Sequence, residues 1–144
     1  MSIQLPPPNS PDSLFESLWQ EHPLRIGRGT NRDAFEVKDH PDKVLKVMTV
    51  PSNAANWAEI VVHIYSVDKS YFGSIHTWSL SGRFLIMEKL TDVTFSDLAL
   101  HHVPAFVNDK KVSAFGRAAD GAIKLRDYGM LTIGSGPLFC FPAT

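Results

Sequence analysis

Residue types that can hold phosphate groups and a divalent cation recur along this chain of 144 residues. Gly27 and Gly29 flank Arg28, and a glycine-containing turn lets the backbone approach an anionic ligand closely. Lys46 lies in a run rich in β-branched residues and offers a compact positive charge. Asp127 offers a carboxylate, which is a ligand that Mg²⁺ prefers. Residue types of this kind could bind a phosphorylated ligand if the fold brought them together.

Short strands are predicted to position the glycines and the lysine. The patterns favour an antiparallel meander whose first two strands are joined by the glycine turn. Because side chains alternate along a strand, Val44 and Lys46 are expected on one face of the third strand. The predicted strands are 24–26, 34–38 and 44–50, with a turn over 39–42.

A helix is predicted next, because apolar residues recur there at helical spacing. Ser52 is expected to cap its N-terminus, and Glu59 adds an acidic side chain within it. The stripe expected to face the core comprises Trp57, Ile60, Val61, Ile64 and Tyr65.

Two hairpins are predicted farther along the chain. Ser81-Gly82 and Asp120-Gly121 are the expected turns, each between two apolar segments. A short helix over 94–101, ended by Pro104, lies between them and carries His101-His102 at its end. The predicted fold class is α+β: an antiparallel β-sheet with a packed helix, followed by a short helix and a β-hairpin.

The N-terminal part is predicted to be an extension. Residues 1–23 are rich in proline and are expected to be extended and loose at first. Asp12 or Ser13 is expected to cap a short helix that carries Leu14, Phe15, Leu18 and Trp19. The remaining residues, 24–144, form one predicted domain.

This order of elements resembles a protein-kinase fold reduced to an N-terminal lobe and a stub of the C-terminal lobe. In that family a Gly-rich turn covers the phosphates, a strand lysine holds them and a helix glutamate orients the lysine. The resemblance implies an ATP site made by Gly27, Gly29, Lys46 and Glu59, with Val44 over the adenine.

Two later segments are also similar to kinase segments. Residues 84–90 resemble the fifth strand and hinge, which implies Met87 as gatekeeper and Glu88 in the adenine-binding hinge. Residues 120–129 resemble the hairpin that delivers the metal-binding Asp-Phe-Gly, with Tyr128 in the middle position. The resemblance implies that Asp127 binds Mg²⁺. The family's spacing then implies Asp109 as the residue that positions an acceptor hydroxyl, with Lys111 steering phosphate.

Other positions depart from the family. Arg32 stands where the third glycine would be, and it is predicted to steady the phosphates. Val107-Asn108-Asp109 replaces His-Arg-Asp, and Ala114 replaces the asparagine that holds a second metal ion. Because an alanine side chain cannot coordinate Mg²⁺, a two-metal site is not expected. The segment after Glu88 is also too short for the long helices of a C-terminal lobe.

The composition of the chain argues against several kinds of function and site. A formal net charge of −1 argues against a broad surface for nucleic acid or an anionic membrane. The single cysteine, Cys140, excludes an internal disulfide framework, and it is expected to be a buried, inert thiol in a cytoplasmic protein. His101 and His102 are not expected to share a metal ion, because neighbouring helical residues point in different directions.

Three functions remain open from the sequence. The first is a degenerate kinase-like module with an ATP cleft that acts mainly by binding a protein partner, for example a phage or mobile-element factor that inhibits a host enzyme. The second is an active minimal Ser/Thr protein kinase that uses ATP and Mg²⁺. The third is a small α+β adaptor with no nucleotide site, whose mark would be the absence of a cleft between Lys46 and Asp127. The apolar tail from Leu138 to Phe141 is expected either to complete the core or to form a homodimer contact.

Overall fold

The protein contains two α-helices and nine strands in the part of the chain that the structure describes. The structure is a computed structural model, and it describes residues 3–50, 54–66, 68–105, 107, 110–129 and 138–143. The helices are α1 (Asp12–Glu21) and α2 (Ala55–Tyr65). The strands are β1 (Arg25–Arg28), β2 (Arg32–Val37), β3 (His40–Met48), β4 (Ile75–Trp78), β5 (Phe84–Glu88), β6 (His102–Val103), β7 (Phe115–Arg117), β8 (Ile123–Leu125) and β9 (Phe139–Cys140).

Five strands form an antiparallel sheet in the order β1-β2-β3-β5-β4. Val44 packs in the hydrophobic cluster on the α2 side of the sheet, whereas Leu45 packs in the cluster on the α1 side. This alternation confirms that Val44 and Lys46 share a face. The α+β class and the antiparallel meander are confirmed with it.

Both faces of the sheet are covered. Phe84 and Ile86 of β5 join Phe15 of α1 in one cluster, while Leu85 and Met87 join the cluster under α2. These four residues are all buried, which explains why Phe84 to Met87 form a continuous apolar run rather than an alternating pattern.

The residues before α1 lie along β4. The prediction that they are loose is therefore wrong. Ser10 bridges to Ser79, and the Asn9 N–H donates to the Trp78 carbonyl at 2.9 Å. The prediction that Asp12 or Ser13 caps α1 is wrong, because the helix already begins at Asp12. The Asp12 carboxylate instead accepts a hydrogen bond of 3.1 Å from the Ser81 backbone N–H.

The turn predicted over 39–42 is shorter than expected. β3 begins at His40, so the turn is confined to Lys38 and Asp39. Asp39 has a φ of 63°, a left-handed conformation that aspartate tolerates better than most residues. The β2–β3 pair is therefore a tight hairpin, and Pro41 lies within the strand.

The buried face of α2 differs from the predicted one. Trp57, Val61, Ile64 and Tyr65 are exposed, whereas the buried residues are Ala55, Asn56, Glu59, Ile60 and Val62. The stripe prediction is therefore wrong except at Ile60. The reason is that Asn56 and Glu59 form hydrogen bonds inside the protein, which turns the polar positions inward. Ser52 lies outside the described residues.

Both predicted hairpins are present, but the helix between them is not. Gly82 and Gly121 adopt φ values of 78° and 92° in the β4–β5 and β7–β8 turns. In place of a helix over 94–101, the chain makes a single 3₁₀ turn at Ser96–Leu98. Leu100 has a φ of 61° and its N–H bonds to the Phe141 carbonyl, so a helix cannot continue there.

The C-terminal segment packs against the core, as one of the two expectations for it proposed. β9 pairs with β6, and Phe141 is buried against Phe115. Cys140 is exposed, so the prediction of a buried thiol is wrong, and His102 lies in β6 rather than at a helix end. No helix among the described residues is long and apolar enough to cross a membrane.

Candidate functional site

The sheet and α2 bring Lys46 and Glu59 into contact. Lys46 Nζ lies 3.0 Å from Glu59 Oε1 and 3.2 Å from Oε2. Glu59 is fully buried, and its Oε2 also accepts the Tyr128 backbone N–H at 2.8 Å. The Lys46 ammonium donates in addition to the Arg126 carbonyl. The strand lysine and the helix glutamate thus form the ion pair that the kinase resemblance implies.

Arg32 adds a second cation to the same carboxylate. It is the first residue of β2, and the side chain is buried with 8% of its surface exposed. Arg32 Nη2 donates to Glu59 Oε2 and, at 2.7 Å, to Asp127 Oδ1. Its Nη1 donates to Asn56 Oδ1 at 2.9 Å. The guanidinium therefore joins α2 to the segment after β8.

Asn56 is a site residue that the sequence interpretation missed. Its Nδ2 donates to the Gly82 and Arg83 carbonyls at 2.9 and 3.0 Å, so it connects α2 to the β4–β5 turn. Asn56 precedes Glu59 by three residues, a spacing that places both side chains on one helical face. A polar pair at this spacing was the signal available in the sequence. Arg32, Lys46, Asn56, Glu59 and Asp127 are called the Arg32 network below.

Tyr128 fixes the backbone next to Asp127. Its ring is fully buried, 4.9 Å from the ring of Phe72, and its hydroxyl donates to the Gly73 carbonyl at 2.9 Å. Burial raises the pKa of the Tyr128 hydroxyl far above its ordinary value, so the hydroxyl stays protonated as a donor. Asp127 itself keeps 46% of its side chain exposed.

The charges of the Arg32 network balance. Two cations, Arg32 and Lys46, face two carboxylates, Glu59 and Asp127. Burial alone would raise the pKa of Asp127, but Lys46 and Arg32 outweigh it and lower that pKa. Burial and the neighbouring Arg32 lower the pKa of Lys46, while Glu59 opposes that change. The network offers no surplus positive charge to a polyphosphate.

The arrangement around Asp127 does not fit a bound divalent cation while Arg32 holds the carboxylate. A metal ion there would lie beside the guanidinium, which carries the same sign of charge. Ala114, fully buried, accepts the Asp127 N–H with its carbonyl at 3.2 Å, and its methyl group cannot serve as a ligand. In the described part of the chain, no three His, Cys, Asp or Glu side chains gather into a metal-sized group.

Four other predicted site residues lie in the β1–β2 hairpin and in β5. Gly29 closes the β1–β2 turn with a 2.8 Å bond from its N–H to the Arg32 carbonyl, and a Cβ there would lie 2.9 Å from that oxygen. Met87 is fully buried, and Glu88 bonds to the Ser74 N–H and to Lys124. Gly27 lies in β1 opposite Ala34.

Of the two predicted catalytic residues, only Lys111 lies in the described part of the chain. Lys111 precedes the 3₁₀ turn Val112–Ala114, and its charge acts on the Asp127 carboxylate. Asp109 lies outside the described residues. The phosphate and adenine contacts assigned to the other residues remain predictions.

The fold is similar to one known from a solved protein. An apo structure of a pseudokinase matches with a TM-score of 0.59 at 12% sequence identity, over 90% of this chain. The chain spans 62% of the length of that structure. No family model and no curated protein matches the sequence. At this level of identity the likeness concerns the fold alone, which is α+β and similar to a kinase N-terminal lobe.

Proposed function

We propose that this protein is a non-catalytic kinase-like module that acts by binding a protein partner. The observation that carries the proposal is the position of Arg32, whose guanidinium lies between Glu59 and Asp127. In an active kinase the aspartate of this segment holds Mg²⁺, and the metal bridges the phosphates. Here an internal cation takes the place of that metal.

The energetics of burial support the same proposal. Binding Mg·ATP through Asp127 would place Mg²⁺ beside the Arg32 guanidinium, and moving Arg32 away would remove one of the two cations that neutralise the fully buried Glu59. Breaking a buried ion pair by removing one partner costs about 3–5 kcal/mol. Nucleotide binding would have to offset this cost before any phosphate was transferred.

The surroundings of Asp127 and the segment before β7 also support a non-catalytic module. Ala114 stands where the resemblance would require a second metal ligand, and its side chain is fully buried. Between Glu88 and the β7–β8 hairpin the described chain forms only 3₁₀ turns and the two-residue strand β6. The described residues of this segment therefore include none of the long helices that anchor a kinase C-terminal lobe.

One observation favours a second candidate, an active ATP-dependent kinase. The Lys46–Glu59 pair is formed, and kinases require such a pair for catalysis. The position of Lys46 is compatible with either candidate, whereas the position of Arg32 favours the first. If catalysis occurs, Arg32 must first release Asp127.

A phosphate-transfer assay separates the two candidates. Wild type, Lys46→Ala and Asp127→Asn are incubated with radiolabelled ATP, Mg²⁺ or Mn²⁺, and a mixed-sequence Ser/Thr peptide. We expect the same background labelling in all three proteins, for the peptide and for the protein itself. Transfer by the wild type that both variants lose would establish the active kinase instead.

A capture experiment addresses the partner directly. Tagged wild type and Lys46→Ala, each first shown to be folded, are compared for the proteins that they retain from cells that naturally express this chain. We expect the same protein with both, since binding is proposed not to involve nucleotide. Retention of no protein, or retention that depends on Lys46 and added ATP, counts against the proposal.

A further inference from the structure

The outer side of α2 is apolar without exception. Four residues of this helix are exposed, namely Trp57, Val61, Ile64 and Tyr65, with exposed fractions of 37%, 49%, 47% and 77%. These four residues are called the α2 outer face. Helices at a protein surface normally place charged residues outward. In α2 the one acidic residue, Glu59, is buried, and the helix contains no lysine or arginine.

The α2 outer face borders the β4–β5 turn, and Trp57 is held in place at that end. Leu80, in the β4–β5 turn, is 63% exposed. Trp57 Nε1 donates to the Ser81 carbonyl at 2.8 Å, which holds the indole against this turn. A large apolar side chain that is already fixed loses little conformational freedom when it is covered, which favours association.

The sequence of α2 is nearly symmetric about Val61. Trp57 lies four residues before Val61 and Tyr65 four residues after it, while Ala58 and Ile64 lie three residues to either side. At a rise of about 1.5 Å per residue, each aromatic ring lies roughly 6 Å from Val61 along the helix. An antiparallel copy centred on Val61 would therefore place an aromatic ring opposite an aromatic ring and a small side chain opposite a large one.

We propose that a second copy of this chain covers the α2 outer face. The two α2 helices would cross antiparallel on a two-fold axis at Val61, with Trp57 of each copy against Tyr65 of the other. Ala58 leaves room for Ile64 of the second copy. In a two-fold interface the same surface of each copy meets, so exposed charges of one sign on this face would repel one another. The absence of exposed charge on α2 removes that repulsion.

The small area of the α2 outer face limits the expected affinity of the dimer. One short helix and Leu80 cover less than the roughly 800 Å² per partner of a standard stable interface. We therefore expect a weak, reversible dimer, with a dissociation constant on the order of micromolar. This inference goes beyond the proposed function and does not depend on it, because it does not involve the Arg32 network.

Disulfide trapping tests the geometry. In a Cys140→Ser background, Val61→Cys would place two thiols at the two-fold axis, where mild oxidation should link the copies. Ser17→Cys, at an exposed position of α1, is the matched control and should remain largely monomeric. Equal crosslinking of both variants, or none of Val61→Cys, would overturn the proposed axis.

Sedimentation of the unmodified protein provides the second test. The wild type should show a mass that rises towards a dimer with concentration, and Val61→Asp should stay monomeric with an unchanged circular dichroism spectrum. Leu138→Asp changes an exposed apolar residue of the C-terminal segment, and it should dimerise like the wild type. A wild type that stays monomeric at about 1 mM, far above the concentrations at which even weak interfaces of this class associate, overturns the proposal. Loss of the dimer in Leu138→Asp but not in Val61→Asp would move the interface to the C-terminal segment.

Discussion

Arg32 Nη2 lies 2.7 Å from Asp127 Oδ1, although 95 positions separate the two residues in the sequence. This contact joins the glycine turn at the start of β2 to the segment after β8. Through Glu59 and Asn56 the same guanidinium also reaches α2. One side chain therefore connects the start of β2, helix α2 and the segment after β8.

Glu59→Gln should lower the free energy of unfolding by about 3–5 kcal/mol, the usual cost of leaving buried charges uncompensated. Arg32 and Lys46 would both lose their shared counter-charge, although glutamine keeps an acceptor for the Tyr128 N–H. Urea denaturation followed by circular dichroism measures the change.

Glu21→Gln is the control for that measurement. Glu21 pairs with Lys38 at 3.5 Å, and both side chains are largely exposed. An exposed pair is worth at most about 1 kcal/mol. Similar losses in the two variants would mean that the buried network does not stabilise the fold as its contacts indicate.

Protonation of Asp127 at acid pH should lower the free energy of unfolding. Burial opposes ionisation of this carboxyl, but Lys46 and Arg32 lower its pKa below the ordinary value of 3.8. Its stabilising contribution is therefore complete above the unfolded-state value and is lost as the pH falls below it through the folded-state pKa. The wild type should lose more stability than Asp127→Asn between about pH 5 and pH 3, in denaturation curves measured at each pH. Parallel losses in the two proteins would contradict this account.

Gly82→Ala should destabilise more than Gly121→Ala. Both glycines have positive φ values, so each alanine costs on the order of 1–2 kcal/mol in backbone strain. At Gly82 the added Cβ would also collide with the indole of Trp57, whereas nothing lies within 4 Å of a Cβ at Gly121. Thermal unfolding should show the difference, and the tryptophan fluorescence of the folded protein should change only in Gly82→Ala. Equal losses would show that Trp57 moves aside without cost.

Phe141→Ala should cost about 3–5 kcal/mol, as expected for a buried aromatic residue. The Phe141 ring is 5% exposed and packs edge-on against Phe115, with ring centroids 5.4 Å apart. Phe139 is 39% exposed, and its replacement by alanine should cost clearly less. Chemical denaturation of both variants tests whether the C-terminal segment completes the core. A small loss in Phe141→Ala would show that it does not.

The local features of the site could be predicted from the sequence. Strand alternation placed Val44 and Lys46 on one face, and the Asp120-Gly121 turn located the hairpin that leads to Asp127. The pairing of Lys46 with Glu59 followed from the kinase resemblance. Each of these inferences depends on spacing within one element or on the order of neighbouring elements, which the sequence states directly.

The orientation of α2 and the partner of Arg32 could not be predicted in this way. Apolar periodicity marked Trp57 and Val61 as core residues, but hydrogen bonds from distant segments draw Asn56 and Glu59 inward instead. A role at the phosphates was inferred for Arg32 from the kinase resemblance, in which it stands at the position of the third glycine, and that role remains a prediction. The partners that the structure shows for Arg32 lie in α2 and in the segment after β8, and no local sequence pattern predicts these contacts.

The most direct test of the central claim is the binding of Mg·ATP to wild type and Arg32→Gln, measured by calorimetric titration and thermal shift. Circular dichroism must first show that the variant is folded. Saturation of a site at 100 times its dissociation constant would stabilise the protein by about 2.7 kcal/mol. We predict neither heat of binding nor thermal stabilisation for the wild type at millimolar nucleotide, and any binding that appears should be confined to Arg32→Gln. Saturable binding by the wild type that Arg32→Gln weakens would contradict the account, because Arg32 would then be a phosphate ligand.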